Sequence, residues 1–402
     1  MALVIAVTGS RNAPIAMASS AELASFHPAG STASAGSFST PLSDEQKNQS
    51  LHEDEQGSDV LRVMSFNIRY GTARDGDNAW PHRRDLVTNL ICENGGDIIG
   101  LQEALAFQIA EILQACPKYT RIGVGRDDGR DRGEFTAILF DRSKWLPVEF
   151  DTFWLSDTPD VVASTSWGNS IPRICTWALL EEVRENIDTR KSGRNDSLSD
   201  ETDTTATVTA TAIANSSPDH GNEESRPPRR VLVYNTHFDH RSENARRESA
   251  KAIVARAAAD RQRLARPGEI LPVIITGDFN AGETSEPIRI MKSGNVDAER
   301  RAKNETSDRD VNTSATDPVA PIRFFDTFRV LFPDAPEVGT FTGFDPERTT
   351  GAKIDYVFAT PDLKVVGAGI DRTTSPDGKR TPSDHLPVWA EFAWPNVRST
   401  GH

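Results

Sequence analysis

Short apolar runs that end in polar residues recur along most of the chain. The clearest lies at 271–280 (LPVIITGDFN), where the VII run is typical of a strand buried on both faces. Gly277 ends the run, and Asp278 and Asn280 follow it. Alternate side chains of an extended chain share a face, so both polar groups are predicted to point to one side at the mouth of the strand. An ordinary turn is the alternative, because Gly, Asp and Asn are common turn residues.

The same pattern predicts strands that alternate with helices over the rest of the chain. Further strands are predicted at 60–67, 97–102, 119–125, 135–140, 150–155, 174–181, 231–234, 354–359 and 388–392. Apolar spacing or helix-forming composition predicts helices at 81–93, 105–115, 243–265, 285–291 and 324–331. This alternation indicates an α/β fold.

Three stretches have no hydrophobic period. Residues 1–59 are rich in Ala, Ser and Gly before they become acidic, and 188–228 and 303–318 are polar throughout most of their length. Such sequences cannot bury enough apolar surface to fold, so we predict disorder in all three. The remainder is predicted to form one domain at about 60–396, with the last two stretches as insertions. A hydrophobic fraction of 37% is low for a compact protein and agrees with this division.

The charge balance of the chain is acidic, with a formal net charge of -14. The sequence has no basic stripe for gripping the phosphates of a long duplex, so we expect no duplex DNA partner. An acidic protein fits a site that holds cations, or that binds a small substrate or the end of a longer one. No apolar run is long enough to predict a membrane span, and we expect a monomer.

The three cysteines are Cys92, Cys116 and Cys175. They are too few and too scattered to predict a disulfide framework or a zinc site. We interpret them as buried thiols, which slightly favours a reducing, cytoplasmic compartment over secretion.

Several polar residues lie at or close to the ends of predicted strands, either before or after them. They are Asn67, Glu103, His237, Asp278, Asn280, Asp355, Asp384 and His385. Each alone has an ordinary interpretation, such as a turn or helix cap for Asn67 and Glu103, or a satisfied core histidine for His237. Together they offer carboxylates, amides and two imidazoles without a thiolate, which suits Mg²⁺ or Mn²⁺ rather than zinc.

Six short motifs contain these residues and follow one another along the chain. They are SFNIR at 65–69, LQE at 101–103, NTHFD at 235–239, GDFN at 277–280, KIDYVF at 353–358 and SDHLPV at 383–388. In these motifs the sequence resembles the endonuclease/exonuclease/phosphatase superfamily, the group of pancreatic deoxyribonuclease. It is most similar to a less characterised branch beside the deadenylase and nocturnin group. The resemblance implies a four-layer αββα sandwich, with two mixed β-sheets packed face to face and the site at one end.

The resemblance also implies how a divalent cation and water are held. Glu103 would be the principal metal ligand with Asn67 beside it, and Asp384 would be a further metal contact. Asp278 would orient or activate the attacking water, and Asn280 would hold a phosphate oxygen. The implied cofactor is Mg²⁺ or Mn²⁺.

The same resemblance implies roles for two histidines and their neighbours. His385 would be oriented by Asp355 and would contact the phosphate or relay a proton. His237 would be the general acid or a phosphate contact, supported by Glu134. Arg173 would lie near the scissile phosphate. The matches at Glu134 and Arg173 rest on shorter segments than the others.

These features favour a metal-dependent phosphoesterase, and three functions remain open. The first is a phosphodiesterase that acts on an RNA 3′ end or a nucleotide, with Trp80, Trp154 and Trp167 either stacking on bases or anchoring the core. The second is a phosphomonoesterase that acts on a small metabolite or a lipid headgroup. The third is a non-catalytic binding scaffold, which the sequence disfavours because every catalytic position holds a competent residue.

Overall fold

The computed structural model describes residues 60–184, 227–294 and 322–395. The predicted N-terminal segment, the insertion at 303–318 and almost all of the insertion at 188–228 lie outside these residues. Among the described helices, none has the length and apolar character needed to cross a membrane.

Twelve strands and five α-helices make up this part of the chain. The strands are β1 (Val60–Asn67), β2 (Ile98–Gln102), β3 (Tyr119–Ile122), β4 (Ile138–Asp141), β5 (Trp145–Trp154), β6 (Ile174–Glu182), β7 (Arg230–His237), β8 (Val273–Asp278), β9 (Phe325–Asp326), β10 (Asp355–Ala359), β11 (Lys364–Ile370) and β12 (Val388–Ala393). The helices are α1 (Trp80–Asn94), α2 (Ala106–Ala115), α3 (Glu243–Leu264), α4 (Glu286–Ser293) and α5 (Thr327–Leu331).

The strands form two six-stranded mixed sheets, each built around one parallel pair. The first sheet has the order β11-β12-β1-β2-β4-β3, in which β1 and β2 are parallel. The second has the order β5-β6-β7-β8-β10-β9, in which β7 and β8 are parallel. Parallel neighbours need a crossover connection, and α1 and α3 provide the two crossovers.

Apolar side chains divide the domain into four layers. The inner faces of both sheets share one cluster, which includes Val63 and Ile98 from the first sheet and Val233 and Ile274 from the second. A second cluster packs α1 and α2 on the outer face of the first sheet, and a third packs α3 and α4 on the outer face of the second. The predicted four-layer αββα sandwich is therefore confirmed.

The inward-facing positions of the four central strands change from apolar to polar toward one end of the sandwich. In chain order they are Val63, Ser65 and Asn67 in β1, Ile98, Gly100 and Gln102 in β2, Val233, Asn235 and His237 in β7, and Ile274, Thr276 and Asp278 in β8. Side chains two positions apart on a strand share a face. A strand that places an apolar residue in the core therefore also places a polar residue at this end of the sandwich, the rim, two or four positions later.

Small polar groups connect the two sheets just below that rim. Asn235 Nδ2 donates to the carbonyl oxygens of Leu101 and Ala137, at 2.8 and 2.9 Å. Asn235 Oδ1 accepts from Gln102 Nε2 at 2.7 Å and from Thr276 Oγ1 at 3.0 Å. Each polar atom of this buried amide is therefore paired, as burial requires.

Several strand ends differ from the sequence prediction by a few residues, most of all in β5, which begins at Trp145 rather than at 150, and two differences are larger. The segment predicted as a helix at 324–331 divides into the two-residue strand β9 and the short helix α5. Strand β11 was not predicted, because its sequence KVVGAGI contains two glycines and a bulge between Val365 and Gly367. Edge strands of this kind lack a clean hydrophobic alternation.

The interpretation of all three cysteines as free thiols is wrong for two of them. Cys92 in α1 and Cys116, directly after α2, form a disulfide with their Cα atoms 5.4 Å apart. The bond joins two neighbouring helices, an arrangement that the sequence spacing did not indicate. Cys175 is free and buried. Because structural disulfides are typical of oxidising compartments, the cysteines no longer favour a reducing one.

The spacing between the sheets predicts the effect of a methyl group at Gly100. Its Cβ would overlap Thr276 Oγ1 and lie 2.6 Å from Asn235 Oδ1. We expect Gly100→Ala to lower the free energy of unfolding by about 1–3 kcal/mol, measured by urea denaturation. Gly282→Ala is the control, because its Cβ would meet only Ala352 Cβ at 3.5 Å. Equal stability of the two variants would contradict this account of the interface.

Candidate active site

The polar ends of the central strands open into a cleft of about 840 Å³. Eight of the ten site residues predicted from the sequence line it: Glu103, Glu134, Arg173, His237, Asp278, Asn280, Asp384 and His385. The other two, Asn67 and Asp355, are buried directly behind the wall and hydrogen-bond to residues that line it. The structure thus brings all ten residues to one place.

Asn67 joins carboxylates that come from different sheets. Its Nδ2 atom donates to Glu103 Oε1 at 3.1 Å and to Asp278 Oδ2 at 3.0 Å. The other Glu103 oxygen accepts from the backbone N–H of Tyr70 at 3.1 Å. Glu103 has a φ of 59°, a left-handed conformation that is uncommon for residues other than glycine. Its carboxylate is therefore aimed by a turn that the neighbouring contacts must hold in place.

Asp278 lies at the centre of the site and is 1% exposed. Burial, reinforced by the neighbouring charge of Asp355, raises the pKa of Asp278 to about 7. Its Oδ2 atom is 3.5 Å from His237 Nε2 and 3.7 Å from His385 Nε2. The backbone N–H of Asn280 donates to the other oxygen at 2.9 Å. One carboxylate oxygen thus lies between two imidazoles.

The two histidines have opposite electrostatic surroundings. His385 Nδ1 is 2.9 Å from Asp355 Oδ2. Burial opposes charge on His385, but the carboxylates of Asp355 and Asp278 outweigh it and raise the pKa of His385 well above its ordinary value. Burial, with the nearby charges of Arg173 and Arg126, lowers the pKa of His237 well below its ordinary value. His385 is therefore the cationic imidazole and His237 the neutral one.

Glu134 lies beside His237 without a close hydrogen bond to it. Its Oε2 atom is 3.8 Å from His237 Nδ1, and that nitrogen has no hydrogen-bond partner among the described residues. Glu134 instead receives two hydrogen bonds from Arg126, at 2.8 and 2.7 Å. Burial raises the pKa of Glu134. The sequence analysis did not single out Arg126, which lies in a charged loop with no motif.

Arginine and histidine side chains form a basic wall on the same side of the cleft. The wall consists of Arg126, Arg173, His240 and Arg241. Arg173 is 3% exposed, with Nη2 2.9 Å from His240 Nδ1 and Nε 3.5 Å from Asp239 Oδ2. Its Nη1 atom has no hydrogen-bond partner among the described residues. The guanidinium lines the cleft while its Nη1 atom is buried, so Arg173 contributes fixed positive charge to this side of the cleft, which favours a bound anion.

Asp384 lies at the opposite end of the cleft, near Arg69. Arg69 forms two hydrogen bonds to Asp75, at 3.0 and 2.9 Å, and its Nε atom is 3.8 Å from Asp384 Oδ2. Burial raises the pKa of Asp384. Arg69 and Asp75 were not among the predicted site residues, although Arg69 belongs to the SFNIR motif.

Arg83 fixes the two loops that carry this end of the site. Its guanidinium is 1% exposed and donates to the carbonyl oxygens of Ile68 at 2.5 Å, Arg69 at 2.9 Å, Asn78 at 3.0 Å and Pro382 at 3.1 Å. Burial lowers the pKa of the guanidinium to about 10, which leaves it charged near neutral pH. One side chain thus ties the loop after β1 to the segment that leads to the SDH motif.

The donor atoms at the centre of the site fit a hard cation. Ligand atoms of Glu103, His237 and Asp278 all lie within 4.8 Å of one another, and so do those of Asp278, Asp355 and His385. In the second group, Asp355 and His385 are already paired with each other. The first group consists of two carboxylates and one imidazole, so it presents mainly oxygen ligands, which hard divalent cations prefer.

The endonuclease/exonuclease/phosphatase family model matches residues 64–385. The chain therefore belongs to this family, whose members hydrolyse phosphoester bonds, and the resemblance seen in the sequence is confirmed.

Individual relatives agree with this assignment. Uncharacterized protein L388 of Acanthamoeba polyphaga mimivirus is 31% identical over 115 residues, which cover 27% of this chain and 42% of that protein. The chain thus spans about two fifths of the length of this curated relative. A solved endonuclease/exonuclease/phosphatase family protein from Bacteroides thetaiotaomicron is 26% identical with a TM-score of 0.59, and the match covers 85% of this chain and 98% of that one.

Two further solved structures have more specific names. A mannosyl-6-phosphatase from Bacteroides thetaiotaomicron is 28% identical with a TM-score of 0.58, and the match covers 83% of this chain and 100% of that one. The human nocturnin catalytic domain is 18% identical with a TM-score of 0.51, and the match covers 84% of this chain and 95% of that one. At this lower identity, the likeness to nocturnin shows the fold alone.

The hydrogen bonds of Arg83 predict a large loss of stability when its guanidinium group is replaced. We expect Arg83→Lys to lower the free energy of unfolding by about 3 kcal/mol, because one ammonium cannot reach carbonyl oxygens in both loops. Urea denaturation measures the change. Arg84→Lys is the control, because the one ion pair of Arg84 within the described part of the chain is with the adjacent Asp85, and its side chain is 46% exposed. If both variants were equally stable, the role assigned to Arg83 would be wrong.

Proposed function

We propose that this chain is a divalent-metal-dependent phosphomonoesterase that releases inorganic phosphate from a small phosphorylated molecule. The observation that carries the proposal is that one cleft contains the Asn67–Glu103–Asp278 group, two imidazoles with oppositely charged surroundings and the guanidinium of Arg173. A terminal phosphate is a dianion, and a cation on one side with a basic wall on the other would stabilise it.

The shape of the surroundings favours a small substrate over a nucleic acid strand. Trp80 is buried and donates to Glu111 at 2.7 Å, and Trp154 is buried and donates to the carbonyl oxygen of Arg126 at 2.9 Å. Trp167 donates to Asp157 at 2.8 Å. None of these three tryptophans lines the cleft, so they act as anchors rather than as a platform for bases. The 28% identical mannosyl-6-phosphatase also supports a monoester substrate.

The cation would be Mg²⁺ or Mn²⁺, held by Glu103 and Asn67 with Asp384 nearby. When bound, it would neutralise charge on the phosphate oxygens and promote ionisation of water. Asp278 would lose its proton when a cation is present, because a neighbouring positive charge lowers the pKa of a carboxyl group.

The side chains around Asp278 would then divide the chemistry among them. Asp278 orients the attacking water and accepts its proton. Asn280 uses one amide N–H for the carbonyl oxygen of Phe238, at 3.0 Å, and its second N–H is available to a phosphate oxygen. His237, which is neutral, donates a hydrogen bond from Nε2 to the phosphate. His385, which is cationic and held by Asp355, supplies a proton to the leaving oxygen.

A second candidate is the hydrolysis of a phosphodiester in a nucleotide or at an RNA 3′ end. The observation that favours it is the presence of the aromatic rings of Tyr70 and Phe341 in the cleft wall, since rings of this kind stack on bases. The cleft would then hold one terminal nucleoside rather than a length of strand.

Binding of the cation predicts a thermal shift that depends on Glu103. We expect Mg²⁺ or Mn²⁺ at about 100 times its Kd to stabilise the protein by about 2.7 kcal/mol, which raises the Tm by several degrees, and we expect EDTA to reverse the rise. Glu103→Gln should remove most of the shift, because the amide cannot replace the charge of the carboxylate. Glu347→Gln, at an exposed position outside the cleft, is the control. A full metal-dependent shift in Glu103→Gln would argue against this cation site.

Turnover separates the two candidate reactions. Wild-type protein with Mn²⁺ is expected to release inorganic phosphate from sugar phosphates or nucleoside monophosphates. Asp278→Asn and His385→Ala should each reduce kcat by about 10²–10⁴-fold, because each removes a proton-transfer group. His82→Ala, an exposed histidine outside the cleft, should leave kcat unchanged.

The pattern of products decides between the assignments. Release of nucleoside monophosphates from oligoribonucleotides without free phosphate would select the phosphodiesterase. Absence of hydrolysis across phosphomonoesters, nucleotides, oligoribonucleotides and oligodeoxynucleotides would instead select the non-catalytic scaffold.

A further inference from the structure

Apolar and aromatic side chains also line the cleft. Four apolar side chains line the cleft, namely Ile171, Phe341, Phe344 and Ile354. Phe341 is 39% exposed, whereas the other three are half-buried. A phenylalanine that remains this exposed inside a concave site offers apolar surface that a ligand can cover.

Backbone contacts hold Phe341 rigidly against the reacting groups. Its backbone pairs with that of His385, and the two rings lie 5.0 Å apart with an interplanar angle of 63°. The residues on either side are also tied to this segment, since Thr342 N–H donates to the carbonyl oxygen of Asp384 at 2.7 Å and Leu386 N–H donates to that of Thr340 at 2.7 Å. The ring of Phe341 therefore has a fixed position relative to the proton donor.

The same loop contains a second sign of constraint at Phe344. Phe344 has a φ of 70°, a left-handed conformation that is strongly disfavoured for a bulky residue. The guanidinium of Arg83 lies 5.6 Å from the centre of its ring. Strained backbone of this kind persists where the surrounding structure over-determines it, and it is concentrated at ligand sites.

The basic and the apolar side chains of the cleft differ in the chemistry that they can recognise. Arg126, Arg173, His240 and Arg241 offer donors to an anion, and the loop with Phe341 and Phe344 offers apolar ring surface. The ring of Phe341 lies 5.0 Å from that of His385 at the centre of the site. A phosphate held by the basic side chains and the central residues would therefore turn the alcohol part of the ester toward Phe341 and Phe344.

We propose that Phe341 is a specificity residue that stacks on a ring in the leaving group, so that the site selects phosphoesters of ring-bearing alcohols over those of acyclic ones. This inference rests on the proposed function and adds the substrate class. The shared chemistry is a flat ring face next to the phosphoester, and a sugar ring or a nucleobase can each provide it.

The test compares ring-bearing and acyclic substrates in variants of Phe341. The substrates are a hexopyranose 6-phosphate, a nucleoside 5′-monophosphate and glycerol 3-phosphate. Phe341→Ala is expected to raise KM about tenfold for ring-bearing substrates with kcat within twofold, and to leave both constants unchanged for glycerol 3-phosphate. Phe341→Trp should restore the low KM. Phe332→Ala, at a 44% exposed phenylalanine that does not line the cleft, is the control.

The two ring sources give separate outcomes. If Phe341→Ala raises KM only for the hexopyranose phosphate, Phe341 stacks on a sugar ring. If it raises KM only for the nucleotide, Phe341 stacks on a base. An equal effect of Phe341→Ala on ring-bearing and acyclic substrates would overturn the inference. A fall in kcat with unchanged KM would also overturn it, because Phe341 would then act by shielding His385.

Binding measurements separate this inference from the proposed function. In the Asp278→Asn background, calorimetry with the hexopyranose phosphate should give a Kd about tenfold lower when Phe341 is intact than in the variant that also carries Phe341→Ala. If wild-type protein hydrolyses none of the phosphoesters but this difference in Kd is present, the proposed reaction is wrong and the stacking role of Phe341 is supported. If hydrolysis occurs and the Kd values are equal, only the stacking role of Phe341 is wrong.

Discussion

The hydrogen bonds of Asn235 between the two sheets set the alignment on which the site depends. Its amide reaches from β7 to the carbonyl oxygens of Leu101 and Ala137, at 2.8 and 2.9 Å. Leu101 is two residues before Glu103, and Asn235 is two residues before His237. A shift of one residue along the strands between the facing sheets would displace Glu103 and His237 by about 3.3 Å relative to each other. One satisfied buried amide therefore brings a carboxylate and an imidazole to the same rim.

Next to the hydrogen bonds of Asn235, the site contains several charged side chains that are buried, and burial of charge is energetically costly. Asp278 and Asp355 are each 1% exposed and face one another in neighbouring strands. Burial raises the pKa of Asp278, and repulsion from the neighbouring carboxylate of Asp355 raises it further. His385 offsets part of this repulsion, and Arg83 restrains the loops nearby through neutral carbonyl oxygens rather than through another carboxylate. The restraint at Arg83 thus adds rigidity without removing charge from the site.

The sequence predicted the parts of this arrangement that follow from local pattern. Alternation in β1 and β8 delivers Asn67 and Asp278 to one rim, because strand geometry alone fixes the direction of the side chains. The contacts of Arg83 and the Cys92–Cys116 disulfide were not predictable in this way. They join segments through helix packing and loop closure, which leave no periodic signal in the chain. The position of Arg126 beside Glu134 was missed for the same reason, because its charged loop has no repeat.

The opposite pKa shifts of the two histidines likewise depend on neighbouring residues that no sequence motif indicates. Both are buried, and burial alone would make both neutral. The carboxylates around His385 reverse that tendency, whereas Arg173 and Arg126 reinforce it at His237. The imidazole with the raised pKa therefore lies beside Phe341, and the one with the lowered pKa lies beside the basic wall. An anion bound between them would meet fixed positive charge on one side and a transferable proton on the other, the two properties on which the proposed hydrolysis depends.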